Sequence, residues 1–266
     1  MEGPYELLEG DQPLLISVPH DGTEIPSAIA QRMHRRARSV PDTDWHTGEF
    51  YSPLASALGA SLIRPRWSRY VVDLNRPADG KPLYPGRAET GLLPLVGFDG
   101  EPLYLPGEEP GNAEQAERVD VYWRPYHQAL ADELARLAIK HPRVLLWEGH
   151  SIRSVCPMFF EGQLTDLNLG TADGNSADDE LLAQLMQQLG LQQRFRAVAN
   201  GRFKGGFITR HFGRPANGVH AVQLEMTQVS YMNESPPFAW EPERAAAAQA
   251  TVGRMLETAL GWIRGG

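Results

Sequence analysis

The sequence predicts an α/β fold: a mixed, mostly parallel central sheet with helices on both faces. Three observations predict it. Apolar runs at residues 14–19, 144–147 and 219–224 carry few charges, as strands covered on both faces do. Helical stretches separate them, and strand–helix alternation is the signature of a parallel sheet. Each run is followed directly by a chemically capable residue: His20, Glu148 with His150, and Glu225. In open α/β sheets, ligands sit at the carboxyl ends of the strands.

Taken in order, residues 13–19 read as the first buried strand and 28–38 as a basic helix. Residues 43–58 read as a helix capped by Asp42 or Thr43 and stopped by Gly59. A short strand follows at 60–64, and another at 70–74 that ends in Asn75-Arg76-Pro77. Residues 77–112 are dense in Gly and Pro. Their Tyr84, Leu92, Leu93, Phe98 and Tyr104 predict an ordered lid or rim rather than a disordered linker. Residues 113–140 form the strongest helix, interrupted at Pro125. A strand at 143–148 comes next, then a helix at 178–190 closed by Gly190. Strands are expected at 196–199 and 219–225, and an alanine-rich helix at 244–263. With no repeat and no linker, residues 1–266 read as one domain.

Composition narrows the function. The 266 residues are 42% hydrophobic and 22% charged, an ordinary globular balance. A net charge of −8 disfavours nucleic acid, which wants a basic face. A small anionic substrate stays compatible with local arginines. Cys156 is the only cysteine, so neither an intrachain disulfide nor a Cys-based zinc framework is available. The start, Met1-Glu2-Gly3-Pro4, lacks a basic and an apolar signal region, and no run of about 18 apolar residues occurs. A cytoplasmic enzyme without a membrane partner is the expectation.

The residues past the strands suggest a metal site. Catalytic zinc takes three N or O ligands and keeps a position open for water. His20, His150 and one acid fit this. The acid stays open at this point: Asp44, which starts the next helix and could swing to the sheet edge, stands beside Glu24, Asp42 and Asp73. Glu225, ending a nearly uncharged strand, can act as a general base. Arg76, beside Asn75, and Arg210, after Gly205-Gly206, can each grip a carboxylate through the guanidinium fork. His127, on the helix, reads as a packed or supporting histidine. His46, His211, Glu148 and Glu24 are further contacts around the site. His34 and His141 read as solvated. No phosphate loop and no Gly-x-Ser-x-Gly elbow is present.

An ordered set of short motifs carries a family resemblance. It comprises Ser17-Val-Pro-His20-Asp-Gly22, Asp42-Thr-Asp44-Trp, Asp73-Leu-Asn-Arg76-Pro and Arg124-Pro-Tyr-His127. Gly149-His150-Ser, Lys204-Gly-Gly-Phe-Ile-Thr-Arg210 and Gln223-Leu-Glu225-Met complete it. Together, over residues 13–235, they resemble the N-formylglutamate amidohydrolase (N-formylglutamate deformylase) family. The resemblance implies a fold similar to metal-dependent exopeptidase-like and amidase-like α/β hydrolases, of the phosphorylase/hydrolase-like type. It implies hydrolysis of N-formyl-L-glutamate to formate and L-glutamate, in one route of histidine breakdown. It also implies one divalent metal, zinc first, with cobalt or manganese as alternatives. His20, Asp44 and His150 would hold that metal, Glu225 would be catalytic, and Asn75-Arg76 would meet a substrate carboxylate. The compact His-x-x-Glu ligand motif of exopeptidases is absent, since Glu24 follows His20 by four residues. Two other readings compete: a metal-dependent deacylase for another N-acyl amino acid or a cell-wall peptide, and a non-catalytic acidic-amino-acid-binding protein.

Overall fold

The computed structural model describes residues 3–83, 86 and 88–265. Tyr84, singled out above, lies outside the described residues. The fold is the expected mixed α/β arrangement. Its strands are β1 (Tyr5–Leu8), β2 (Leu14–Ser17), β3 (Ser61–Pro65), β4 (Val144–Ile152), β5 (Leu167–Gly170), β6 (Ala197–Ala199) and β7 (Val219–Thr227). Among the described residues they form one sheet in the order β1-β3-β2-β4-β7-β5-β6. The centre, β3-β2-β4-β7, is parallel throughout. The direction reverses at β1 on one side and at β5 on the other, while β5 and β6 run parallel to each other.

The helices are α1 (Ser27–Ala30), α2 (Thr47–Leu58), α3 (Asn112–Arg118), α4 (Arg124–Lys140), α5 (Asp179–Gly190), α6 (Phe207–Phe212) and α7 (Pro242–Arg264). They cover both faces. Leu14, Ile16, Leu145, Trp147, Val222 and Leu224 pack with α2, α5 and α7. Leu15, Val144, Leu146 and Ala221 pack with α4 and with Ile208 of α6. Neighbours along a strand thus serve opposite cores, which is why these strands read as unbroken apolar runs.

Several expected elements differ. Residues 70–74 are not a strand. The edge of β3 is already paired by β1, which the sequence reading missed. The 70–74 backbone instead bonds outward: Asp73 N–H donates to Leu92 O, and Val71 O accepts from Arg118. The basic helix at 28–38 shrinks to α1 and a single 3₁₀ turn at Ala37–Ser39. Helix α2 starts at Thr47, with His46 at its N-cap, rather than at 43. The long helix does break before Pro125, as one π-helical turn at Val119–Trp123. Proline lacks an N–H and clashes with the fourth carbonyl before it, and widening the turn relieves both. In the 77–112 segment, Leu92, Leu93, Phe98, Leu103 and Tyr104 are buried. Leu92 and Leu93 pack in one core with Leu15 of β2, and Leu103 and Tyr104 in another with Tyr70 and Met33. Among the described residues, no helix is long and apolar enough to cross a membrane.

Candidate active site

Register on the two central strands creates the site. Residues 144, 146, 148 and 150 of β4 face the α4/α6 side, and so do 221, 223 and 225 of β7. His150 lies directly beside Glu225, and Glu148 beside Gln223. The apolar part of each strand anchors it in the core, and the polar part continues the same face at the carboxyl end. Both strands run past these residues, to Ile152 and Thr227, so His150 and Glu225 sit within strands rather than just beyond them.

His20 lies three residues beyond β2, and its carbonyl accepts the Asp44 backbone N–H at 3.1 Å. This contact brings Asp44 to the same edge. His150 Nδ1 is 3.0 Å from Asp44 Oδ2, and His20 Nδ1 is 3.6 Å from the same oxygen. Ligand atoms of His20, Asp44 and His150 all lie within 4.8 Å of one another, and all three residues are buried. Tetrahedral zinc with bonds of about 2.0–2.1 Å sets its ligand atoms roughly 3.3 Å apart. The cluster brackets that spacing.

The far side of each ring is held as well. His20 Nε2 is 2.8 Å from Asp73 Oδ1, and His150 Nε2 is 2.7 Å from Glu148 Oε1. Arg69 donates to Asp73 Oδ2 at 2.7 Å, and Glu148 Oε2 accepts from the Thr209 backbone N–H at 3.0 Å and from its hydroxyl. Each Nε2 thus lies against a buried carboxylate and each Nδ1 turns toward Asp44; His150 Nε2 is also 3.0 Å from Asn75 Nδ2. A carboxylate behind each histidine fixes tautomer and ring direction in metal sites.

The competitors of Asp44 fall elsewhere. Glu24 is half-exposed and paired with Arg66 at the surface. Asp42 accepts from Tyr70, from the Phe98 N–H and from Arg153. Asp73 sits behind His20. Electrostatics follow this layout. Burial works against the Asp44 charge, but His20 and His150 outweigh it and hold the carboxyl below the ordinary range. Burial opposes charge on Asp73 too, and His20 with Arg69 holds it well below. Burial likewise disfavours the His150 imidazolium, yet Glu148 and Asp44 raise its pKa well above the usual value. Burial pushes Glu225 up to about 8, with His150 and Arg69 pulling the other way.

A cavity opens over this cluster and includes His20, Asp44, His150 and Glu225 in its wall. Asn75 and Arg76 line it too. Asn75 Oδ1 accepts the Ile208 N–H at 2.9 Å. Gly205, at φ +114°, and Gly206 let the α6 loop close on that amide. A Cβ on Gly206 would stand 2.2 Å from Asn75 Nδ2. The Arg76 guanidinium is oriented by Thr90, through its carbonyl at 2.7 Å and its hydroxyl at 3.2 Å.

Arg210 is not brought to the cavity. It is not part of the wall, and its Nε donates to Gly205 O at the start of its own helix. His211 stacks on Phe207 away from the cavity. His46 is engaged by Glu49 and Phe238 O. Arg69, Gln223, Phe98 and Arg202 do line the cavity and were missed. Arg69 precedes a segment taken for a strand. Gln223 was visible in principle, since it shares the strand face of Glu225.

His127 supports the site from below. Its ring stacks on Trp123 at 3.6 Å, and Nε2 reaches Leu74 O at 2.8 Å, while the Trp123 indole donates to Arg76 O. The two side chains grip the backbone on either side of Asn75. Burial drives the His127 pKa down to about 3. The unfolded chain takes up this proton near pH 6.5 and the folded one does not, so stability is full above 6.5 and declines as pH falls toward 3. Between pH 7.5 and 5, wild type should lose about 2 kcal/mol more than His127→Gln, which cannot titrate there. Urea melts at both pH values check this; parallel losses would place the titration elsewhere.

Comparison with known proteins gives the family. The sequence model of N-formylglutamate amidohydrolase matches residues 12–232. The N-formylglutamate deformylase of Pseudomonas aeruginosa is 48% identical over 255 residues, covering 96% of this chain and 95% of its own length. That of Pseudomonas putida is 46% identical over 254 residues, covering 96% of this chain and 94% of its own length. The crystal structure of N-formylglutamate amidohydrolase from Ralstonia eutropha superposes with a TM-score of 0.83 at 23% identity, over 98% of both chains, and shares the fold. A match of this extent, on a chain whose strand edges gather two histidines and two acids, makes it an amide-bond hydrolase of the N-formylglutamate amidohydrolase family.

Proposed function

We infer that this chain hydrolyses N-formyl-L-glutamate to formate and L-glutamate, with one divalent metal held by His20, Asp44 and His150. The observation that carries the metal part is the pair of imidazoles, each backed by a carboxylate and converging through Nδ1 on Asp44. The relatives' names support the substrate. When bound, a divalent cation supplies Lewis acidity and brings the pKa of a ligated water to roughly 7. Glu225, beside His150 on the adjacent strand, takes the proton from the attacking water. Its buried carboxyl then returns a proton to the departing amine nitrogen. Asn75 and Arg76 hold the α-carboxylate, which places the formyl carbon over the cluster. Histidine breakdown in the cytoplasm is the setting this reaction suits.

The experiment is a turnover assay on protein loaded with zinc, cobalt or manganese. N-formyl-L-glutamate is compared with N-acetyl-L-glutamate and N-formyl-L-aspartate. Formate release is expected to be fastest from N-formyl-L-glutamate. Faster cleavage of the acetyl compound would replace this reading with a broader deacylase.

A further inference from the structure

We propose that Gln223 is a specificity residue that reads the α-carboxylate of the substrate, with Nε2 as its donor. This rests on the functional reading above, which gives that carboxylate to Asn75 and Arg76. Gln223 lies on β7, on the same face as Glu225 and two residues before it. It is 3% exposed and lines the cavity. Its neighbour on β5 is Gly170. A Cβ on Gly170 would stand 2.6 Å from the Lys204 carbonyl carbon and from the Gly205 nitrogen, so the missing side chain lets the loop after β6 run over the sheet here. That path brings the Gly206 N–H to Gln223 Oε1 at 2.7 Å.

The loop fixes the direction of the carboxamide. A backbone N–H has to face the oxygen of an amide side chain, so the Gln223 NH2 group turns away from the loop. Among the described residues, Gln223 Nε2 has no hydrogen-bond partner. Asn75 is held by the same device: its Oδ1 accepts the Ile208 N–H at 2.9 Å, two residues further along the same segment. The two carboxamides flank Gly206, where an added Cβ would stand 2.2 Å from Asn75 Nδ2. Both oxygens are tied to the loop, and both NH2 groups belong to side chains of the cavity wall, with Asn75 Nδ2 also 3.0 Å from His150 Nε2. A carboxylate offers about four lone-pair positions, more than one guanidinium fork fills. The Gln223 NH2 adds a donor beside Asn75 and Arg76. A donor held in place beforehand loses little entropy on binding. An α-carboxamide in the same place would turn its own NH2 toward one of these donors, so the wall separates the acid from its amide.

The test is the ratio of kcat/KM for N-formyl-L-glutamate to that for its α-amide, N-formyl-L-isoglutamine. It is measured for wild type, Q223M and Q223E. Methionine keeps the volume and removes the donor; glutamate sets a carboxyl group against a carboxylate. The ratio should fall roughly ten- to a hundredfold in both variants, chiefly through KM, since a hydrogen bond to a charged group is worth about 1.5–3 kcal/mol. The ratio of N-formyl-L-glutamate to N-formyl-L-glutamine, which lacks the side-chain charge, should hold. An α-amide ratio kept in folded Q223M overturns the assignment, as does an equal or larger loss in the glutamine ratio. Should Q223M fail to fold, Q223E is read by the same criteria. Wild-type turnover of N-formyl-L-glutamate tests the functional reading separately. Should that turnover be absent, thermal stabilisation by L-glutamate over L-isoglutamine decides for Gln223. Its loss in Q223M supports the assignment; its persistence there, or its absence in wild type, refutes it.

Discussion

Glu225→Gln should retain the fold and any bound metal and lose on the order of 10²-fold or more in kcat, the scale of general-base catalysis. The substitution keeps shape and removes the proton acceptor. Glu225 is buried and lies beside His150 on the neighbouring strand, so no bulk water takes its place. Melting temperature and metal content, measured with kcat, separate the chemical loss from a structural one. A Gln variant of near-native kcat would move the role to another acid. Glu148 lies on the adjacent strand, beside Gln223, but it is engaged by His150 and Thr209.

The second large effect falls on the histidines. His20→Asn and His150→Asn should each strip the metal and activity together. Asp73→Asn and Glu148→Gln, behind the rings, should weaken metal affinity or activity by about 10- to 100-fold, the range for such partners. The graded order, ring before backing carboxylate, distinguishes a metal centre from a buried His–Asp ion-pair network. In an ion-pair network, these four substitutions would change stability and leave metal content alone. Full metal occupancy in both histidine variants would refute the ligand assignment.

Much of this was legible because strand chemistry is local. Unbroken apolar runs at 14–17 and 144–147 mark strands buried on both faces, and they end where the chemistry begins. His20, His150 and Glu225 were therefore visible from strand position alone. The choice of Asp44 was not. It depends on a loop contact to the His20 carbonyl, which no spacing encodes. Glu24 is much nearer to His20 in sequence, four residues on, yet it pairs with Arg66 at the surface. Arg210 and Arg202 show the same limit. Both flank Gly205-Gly206, and only the path of the loop decides which one reaches the cavity. Residues 70–74 have strand composition, but the place beside β3 belongs to β1. Competition between segments for an edge is a tertiary fact, and local propensity does not contain it.

On the proposed reading, one metal held by His20, Asp44 and His150 supports hydrolysis of N-formyl-L-glutamate. Its most direct measurement is formate release titrated against metal content in a single preparation stripped by chelation. Activity should rise linearly with added zinc or cobalt, saturate at about one equivalent per chain, and fail to return in His150→Asn. Full turnover of N-formyl-L-glutamate by the stripped protein would contradict it.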